Sequence, residues 1–257
     1  MPKEILLMAI DDFHIRFACQ NHSKYKKSIH HFHMISQNEL VSNGHIQDTD
    51  LLKLLISEYL KTVKRKVKQV CIILKSDAIL LRHMAFPHVP HKETKDAVLH
   101  ALKEEFQDGL SNFNFDYIRS AKGLVTIALA PKPLIADYIT LCNELRLTLI
   151  QVNPFQIRAA QAFRKTTGNL LLVYSSADKL HLLYISEGFL YDSKYVRTLS
   201  YESIQTKLNR FTNYYSLHTN LDRVYMISKN IEAVSDYFQN INIPCQLYHE
   251  SDCIVFD

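Results

Sequence analysis

Few side chains in this 257-residue sequence have the type and spacing that chemistry requires. Asp11 and Asp12 stand side by side between two apolar runs. Adjacent carboxylates suit a metal's water shell, or a tight turn in which aspartate accepts hydrogen bonds from nearby backbone. Turn chemistry is the reading taken, with a residual nucleotide contact and a catalytic carboxylate as alternatives. In His30-His31-Phe32-His33, a strand would place His31 and His33 on one face and offer two imidazoles to zinc. No neighbouring Cys, Asp or Glu pair completes a tetrahedral set, so the run reads as an exposed strand face. His88-Val89-Pro90-His91, in a proline-broken loop, reads the same way. Ser175-Ser176 lacks the elbow glycine of a serine nucleophile, which argues against a hydrolase.

Glycine is scarce. The 5 glycines are Gly44, Gly109, Gly123, Gly168 and Gly188, and no two lie closer than 14 residues. A phosphate-cradling loop needs closely spaced glycines, so that backbone N–H groups reach the phosphates without Cβ atoms in the way. Dinucleotide-binding G-x-G-x-x-G, the P-loop and the protein-kinase glycine loop are all excluded. The 14 tyrosines and 13 phenylalanines could stack on bases, but lysines do not interleave with them and no ribonucleoprotein-type strand motif occurs. They read as core, with a nucleic-acid-binding module kept as a distant alternative.

The formal net charge of +4 permits contact with an acidic partner or membrane surface without demanding nucleic acid. Lys61, Lys64, Arg65, Lys66 and Lys68 cluster at the end of a helix, where the macrodipole favours cations; contact with anionic lipid is the alternative. Cys19, Cys71, Cys142, Cys245 and Cys253 form no C-x-x-C and read as small apolar side chains. No apolar run approaches the roughly 20 residues of a membrane helix, and Met-Pro-Lys-Glu opens no signal peptide. The expectation is a cytoplasmic protein.

The elements that would position these residues repeat. Strands are expected at 4–10, 14–20 and 27–35, a turn region at 36–47, and a helix from an Asp48 or Thr49 cap to about Lys66, with Leu51, Leu52, Leu55, Tyr59 and Val63 as its apolar stripe. A strand at 69–74 precedes a β-α-β-β block: strand 78–86, helix 92–106, strands 115–120 and 124–129. Helix 133–145, strand 148–152 and helix 154–165 follow, then a linker at 165–169. A second meander (170–175, 179–186, 189–196) and helix, strand, helix, strand at 201–218, 223–227, 231–240 and 245–248 complete the chain. Both halves begin with three antiparallel strands and continue with alternating helices and strands. The expected organisation is a first subdomain of residues 1–76 and 132–167, an inserted subdomain of 77–131, and a second subdomain of 168–257.

That order, with Met8-Ala9-Ile10-Asp11, Asn43-Gly44-His45-Ile46-Gln47-Asp48, Asp77 to Arg82 leading into Phe86-Pro87, Lys92-Glu93, Phe115-Asp116-Tyr117 and Asn153-Pro154-Phe155, resembles the PilM-type proteins of type IV pilus assembly and their type II secretion counterparts. The resemblance implies an α/β, actin-like (ribonuclease-H-like) duplicated fold with an inserted β-α-β-β subdomain. Three departures bear on nucleotide chemistry. Asp11 is followed by Asp12-Phe13-His14, Val173-Tyr174-Ser175-Ser176 stands where the second phosphate loop has aspartate and glycine, and Ile227-Ser228-Lys229-Asn230 stands where paired glycines hold adenosine. The small subdomain that closes over nucleotide in the second half is expected to be missing, since Arg197 passes almost directly to the helix at Tyr201. The resemblance therefore implies a non-enzymatic scaffold without ATP or magnesium, at the inner face of the cell membrane. Asp11 would be a vestige of the nucleotide site. The implied partner is the N-terminal cytoplasmic tail of a PilN-like membrane protein, held in a groove between the first sheet and the insert, with Arg82, Met84 and Phe86 on its wall. The alternative is an active actin-like ATPase or kinase relative with a glycine-poor site.

Overall fold

A computed structural model describes residues 4–12, 14–21, 29–63, 67–120, 123–176, 179–197, 201–214, 221–227, 232–241 and 243–247. The described chain divides into two compact units, the second starting at Gln156.

In the first unit, β1 (Glu4–Ile10), β2 (His14–Asn21) and β3 (Ile29–Ile35) form an antiparallel meander. A small hairpin of β4 (Val41–Ser42) and β5 (His45–Ile46) lies inside the stretch expected to be turn alone. It closes at Asn43 and Gly44, both in left-handed backbone (φ 49° and 86°), the conformation an Asn-Gly pair adopts most readily between short strands. Helix α1 (Thr49–Thr62) starts where Asp48 Oδ1 accepts from Leu51 N at 2.8 Å, so Asp48 is the cap. Val63 is extended and ends the helix; the expected continuation at 64–66 lies outside the described residues.

β6 (Gln69–Leu74) is fully apolar after its first residue, as befits a strand flanked on both sides, and runs parallel to β1. β7 (Leu80–Ala85), α2 (Thr94–Phe106), β8 (Phe113–Arg119) and β9 (Leu124–Pro131) form a separate three-stranded antiparallel sheet with its own helix. The 3-10 turns at His91–Glu93 and Gln107–Asn112 bracket α2. Its core is Val98, Leu102, Val125, Ile127 and Leu129. Then α3 (Lys132–Glu144), with Pro133 in its first turn, leads to β10 (Thr148–Pro154), parallel to β6. The main sheet is ordered β10-β6-β1-β2-β3. Leu6, Met8 and Ile10 of β1 pack with Leu52 and Ile56 of α1 and Leu134 and Tyr138 of α3 on one face. Full burial of each such aliphatic side chain contributes about 1.5–3 kcal/mol.

Helix α4 (Phe155–Ala162) opens the second unit, and the turn after it groups there too, Phe163 lying against Tyr225 with ring centroids 4.9 Å apart. β11 (Asn169–Ser176), β12 (Lys179–Ser186) and β13 (Phe189–Arg197) form the second antiparallel meander; α5 (Tyr201–Tyr214), β14 (Arg223–Ile227), α6 (Glu232–Asn240) and β15 (Cys245–Leu247) complete it. The sheet order is β13-β12-β11-β14-β15, with β14 parallel to β11 and β15 parallel to β14. Read from the third meander strand inwards, the two sheets have the same order and the same directions. The molecule is an internal duplication of one mixed α/β unit, with the β-α-β-β block inserted in the first copy. β13 ends at Arg197 and α5 begins at Tyr201, and among the described residues no further element separates them.

Candidate functional site

The β1–β2 turn is closed by Asp11 from both of its polar ends. Asp11 N donates to the His14 carbonyl at 3.0 Å, and Asp11 Oδ1 accepts from His14 N at 2.9 Å and meets His14 Nδ1 at 2.7 Å. Arg16 lies 3.4 Å from Oδ2. The β1–β6 register then adds a third side chain: Ile10 pairs with Leu74, so Lys75 emerges beside Asp11, with its Nζ 3.4 Å from Oδ2 and 4.9 Å above the Phe155 ring. Burial alone would raise the Asp11 carboxyl, but Lys75, His14 and Arg16 outweigh it and hold it below the ordinary aspartate range. Lys75 escaped the sequence reading because only the β1–β6 pairing brings it to Asp11, whereas His14 closes the turn locally.

At the corresponding end of the second meander, Tyr174 on β11 pairs in register with His181 on β12, and their rings stack at 4.2 Å with 6° between planes. Both are buried. Tyr195 on β13, opposite His181, continues the row at 6.4 Å. Ser228–Asn230, expected where paired glycines hold adenosine, lie outside the described residues, as does Phe13.

The first unit also carries a groove of about 290 Å³ between the insert and the main sheet. Its floor and sides are Ile79, Ala128 and Ala130 from the insert, Ile135 and Ile139 from α3, and Leu149, Ile150 and Val152 from β10; Asn114, Asp116 and Gln151 add polar groups. Ile139 and Ile150 remain 44% and 45% exposed. Two strand edges flank it. β8 ends the three-stranded sheet and β10 ends the five-stranded one, so among the described residues neither has a strand partner on its outer side. Such edges present unpaired backbone N–H and C=O groups to an incoming extended chain.

Arg82, Met84 and Phe86 do not line this groove. Their face of β7 turns towards α2: Arg82 Nε lies 2.6 Å from Glu105, its guanidinium sits 5.5 Å over Phe106, and Met84 and Phe86 pack on the insert's core. Strand alternation grouped the three residues correctly but could not say which face meets the helix. The groove residues were missed because Asn114, Asp116 and Ile150 come together only through the juxtaposition of two sheets.

Among the described residues, no group of three or more His, Cys, Asp or Glu could hold a metal ion, and no helix is long and apolar enough to cross a membrane. Cys19, Cys71 and Cys142 are buried, and burial pushes the Cys142 thiol up to about 11.

The duplicated sheets and the insert define a protein of the actin-like ATPase fold. Among solved structures, a PilM-PilN type IV pilus biogenesis complex matches with a TM-score of 0.77 at 13% identity, over 98% of this chain and 90% of that one. A Bacteroides thetaiotaomicron protein with an actin-like ATPase fold and unknown function matches at 0.64, with 10% identity over 98% and 94% of the two chains. The cytoplasmic domain of EpsL, an inner membrane component of the type II secretion system of Vibrio cholerae, matches at 0.57, with 10% identity over 96% and 85%. No protein-family model matches the sequence, and no curated protein matches it.

Proposed function

We propose that this chain is a non-enzymatic scaffold of a type IV pilus, competence pseudopilus or type II secretion-like assembly. In this reading it works at the inner face of the cell membrane and grips the cytoplasmic tail of a PilN-like membrane protein. The observation that carries the proposal is the groove between β8 and β10, apolar along its floor and bounded by two strand edges. An extended tail segment could add to either edge by main-chain hydrogen bonds while alternate side chains enter the apolar floor. The likeness in fold to a PilM-PilN complex supports that choice of partner. Tail contacts are assigned to Asn114, Asp116, Ile139, Ile150 and Gln151, and the β7 residues Arg82, Met84 and Phe86 support the insert from behind.

The absence of nucleotide chemistry is part of the same proposal. A magnesium–phosphate group needs carboxylates free to order its water shell and backbone donors around the phosphates. Asp11 instead pairs with Lys75, Arg16 and the His14 ring, and Tyr174 and His181 fill the end of the second meander with stacked rings. These residues do not suit the group. Calorimetric titration of the protein with a synthetic tail peptide and, separately, with Mg-ATP tests the proposal; binding of the peptide alone is the expected result.

A further inference from the structure

The two strand edges beside the groove differ in their backbones. β10 shifts register against β6 at Ile150 and ends at Pro154, which has no N–H, so a strand laid along it meets an interrupted row of partners. β8 pairs with β9 without a break from Phe113 to Arg119. Just beyond it, Ser120 N donates to the Leu124 carbonyl at 2.8 Å, on the β9 side. Antiparallel residues alternate between hydrogen-bonded and non-hydrogen-bonded pairs. Ile118, Asp116 and Asn114 therefore also turn their backbone groups towards β9, whereas Arg119, Tyr117, Phe115 and Phe113 turn theirs to the free edge.

One of those outward donors is already occupied. Tyr117 N donates to Asp116 Oδ1 at 2.8 Å, so the carboxylate of one residue caps the edge N–H of the next. Charged side chains are a common means of blunting a free edge. Asp116 is exposed; among the described residues it is the only acidic or basic side chain lining the groove, and it meets no cation. An extended segment pairing antiparallel with β8 sets one of its residues opposite Asp116 in a non-hydrogen-bonded pair, where Cα atoms lie about 4.5 Å apart and side chains come closest. A lysine or arginine at that position meets the carboxylate. Side chains two residues to either side share its face, the face that meets the apolar lining of the groove.

We propose, resting on the tail-binding reading above, that Asp116 is a gate on β8 that selects a tail carrying one basic residue between alternating apolar ones. The cation draws the carboxylate off Tyr117 N, and a tail carbonyl takes that N–H in its place. A neutral tail that takes the N–H leaves the Asp116 carboxylate without a partner beside an apolar surface, which costs affinity. Strand edge and charge are thus read together.

The test titrates the full-length protein with the PilN-like tail peptide and with two short acetylated peptides of alternating leucine and threonine, which differ only in carrying lysine or glutamine at the central leucine position. Wild type is expected to bind the lysine peptide about fivefold more tightly than the glutamine one. Asp116→Asn, which keeps an oxygen for Tyr117 N and removes the charge, should lose that preference. Asp116→Ala, which opens the N–H, should bind the glutamine peptide more tightly than wild type does. In hydrogen exchange resolved by NMR, the Tyr117 amide should slow on binding while the Ile150 and Gln151 amides stay unchanged. Equal affinity of wild type for the two designed peptides, a preference that survives in Asp116→Asn, no gain in Asp116→Ala, or protection at Ile150 and Gln151 in place of Tyr117 would each overturn the gate. A tail peptide that binds without slowing Tyr117 overturns the gate alone, whereas no binding by any peptide overturns the tail-binding reading as well.

Discussion

Lys75 places its ammonium 3.4 Å from the Asp11 carboxylate, joining the end of β6 to the turn after β1 across 64 residues of sequence. The pair is largely buried, and Asp11 is also held by His14 and Arg16. In the scaffold account the turn is a structural lock.

Lys75→Met should therefore destabilise the protein at neutral pH, by about 1–3 kcal/mol, because a buried carboxylate loses a cationic partner while keeping its contacts with Arg16 and His14. The sign of the pH dependence follows from the lowered Asp11 carboxyl. A group whose folded pKa is depressed contributes stability above its unfolded value, about 3.9, and that contribution disappears as pH falls through the folded pKa. Urea denaturation at several pH values should show wild type and Lys75→Met converging below about pH 4; a constant gap at all pH values would refute the pairing.

The glycine in the β4–β5 turn makes a sharper case. Gly44 has φ +86°, and a Cβ there would lie 2.6 Å from Ser76 Oγ and 2.7 Å from Ser76 Cβ. Its carbonyl also accepts from the buried Tyr138 hydroxyl at 2.8 Å, and Ser76 Oγ donates to the Asn43 carbonyl at 2.6 Å. Gly44→Ala should cost about 1–3 kcal/mol. Gly109→Ala, where nothing lies within 4 Å, should change stability by less than about 0.5 kcal/mol. Equal effects in thermal melts would contradict the turn geometry.

Arg119 ties the loop before α2 to β8: its guanidinium donates to Thr94 Oγ1 and to the carbonyls of Phe86 and Val89. Arg119→Met keeps the aliphatic stem and abandons three acceptors, so the insert should lose about 1–3 kcal/mol. Hydrogen exchange resolved by mass spectrometry should accelerate at 86–94 and in α2 before the main sheet is affected; uniform acceleration would argue against a local tie.

Much of this architecture was legible in the sequence because its signals are local. Apolar alternation fixed both meanders, the stripe from Leu51 to Tyr59 fixed α1, and Asp48 and Pro133 marked helix starts. The β4–β5 hairpin was hidden because two-residue strands have too few positions to show alternation. Which face of β7 meets α2, and that Lys75 reaches Asp11, depend on pairings between distant segments, and no local pattern encodes them.

The groove assignment is tested at its two exposed isoleucines. Ile139→Asp and Ile150→Asp should lower affinity for the tail peptide by tenfold or more while leaving the melting temperature nearly unchanged, since both side chains are already partly in water. Arg82→Ala, on the face turned to α2, should alter affinity little. The reverse ranking would move the site to β7.

The central claim, a tail-binding scaffold without nucleotide chemistry, is tested most directly by paired isothermal titrations of one protein preparation, with the PilN-like tail peptide and with Mg-ATP. The account predicts a saturable peptide isotherm in the micromolar range, about −8 kcal/mol, and no heat of binding from Mg-ATP. Magnesium-dependent ATP binding with no response to the peptide would contradict it.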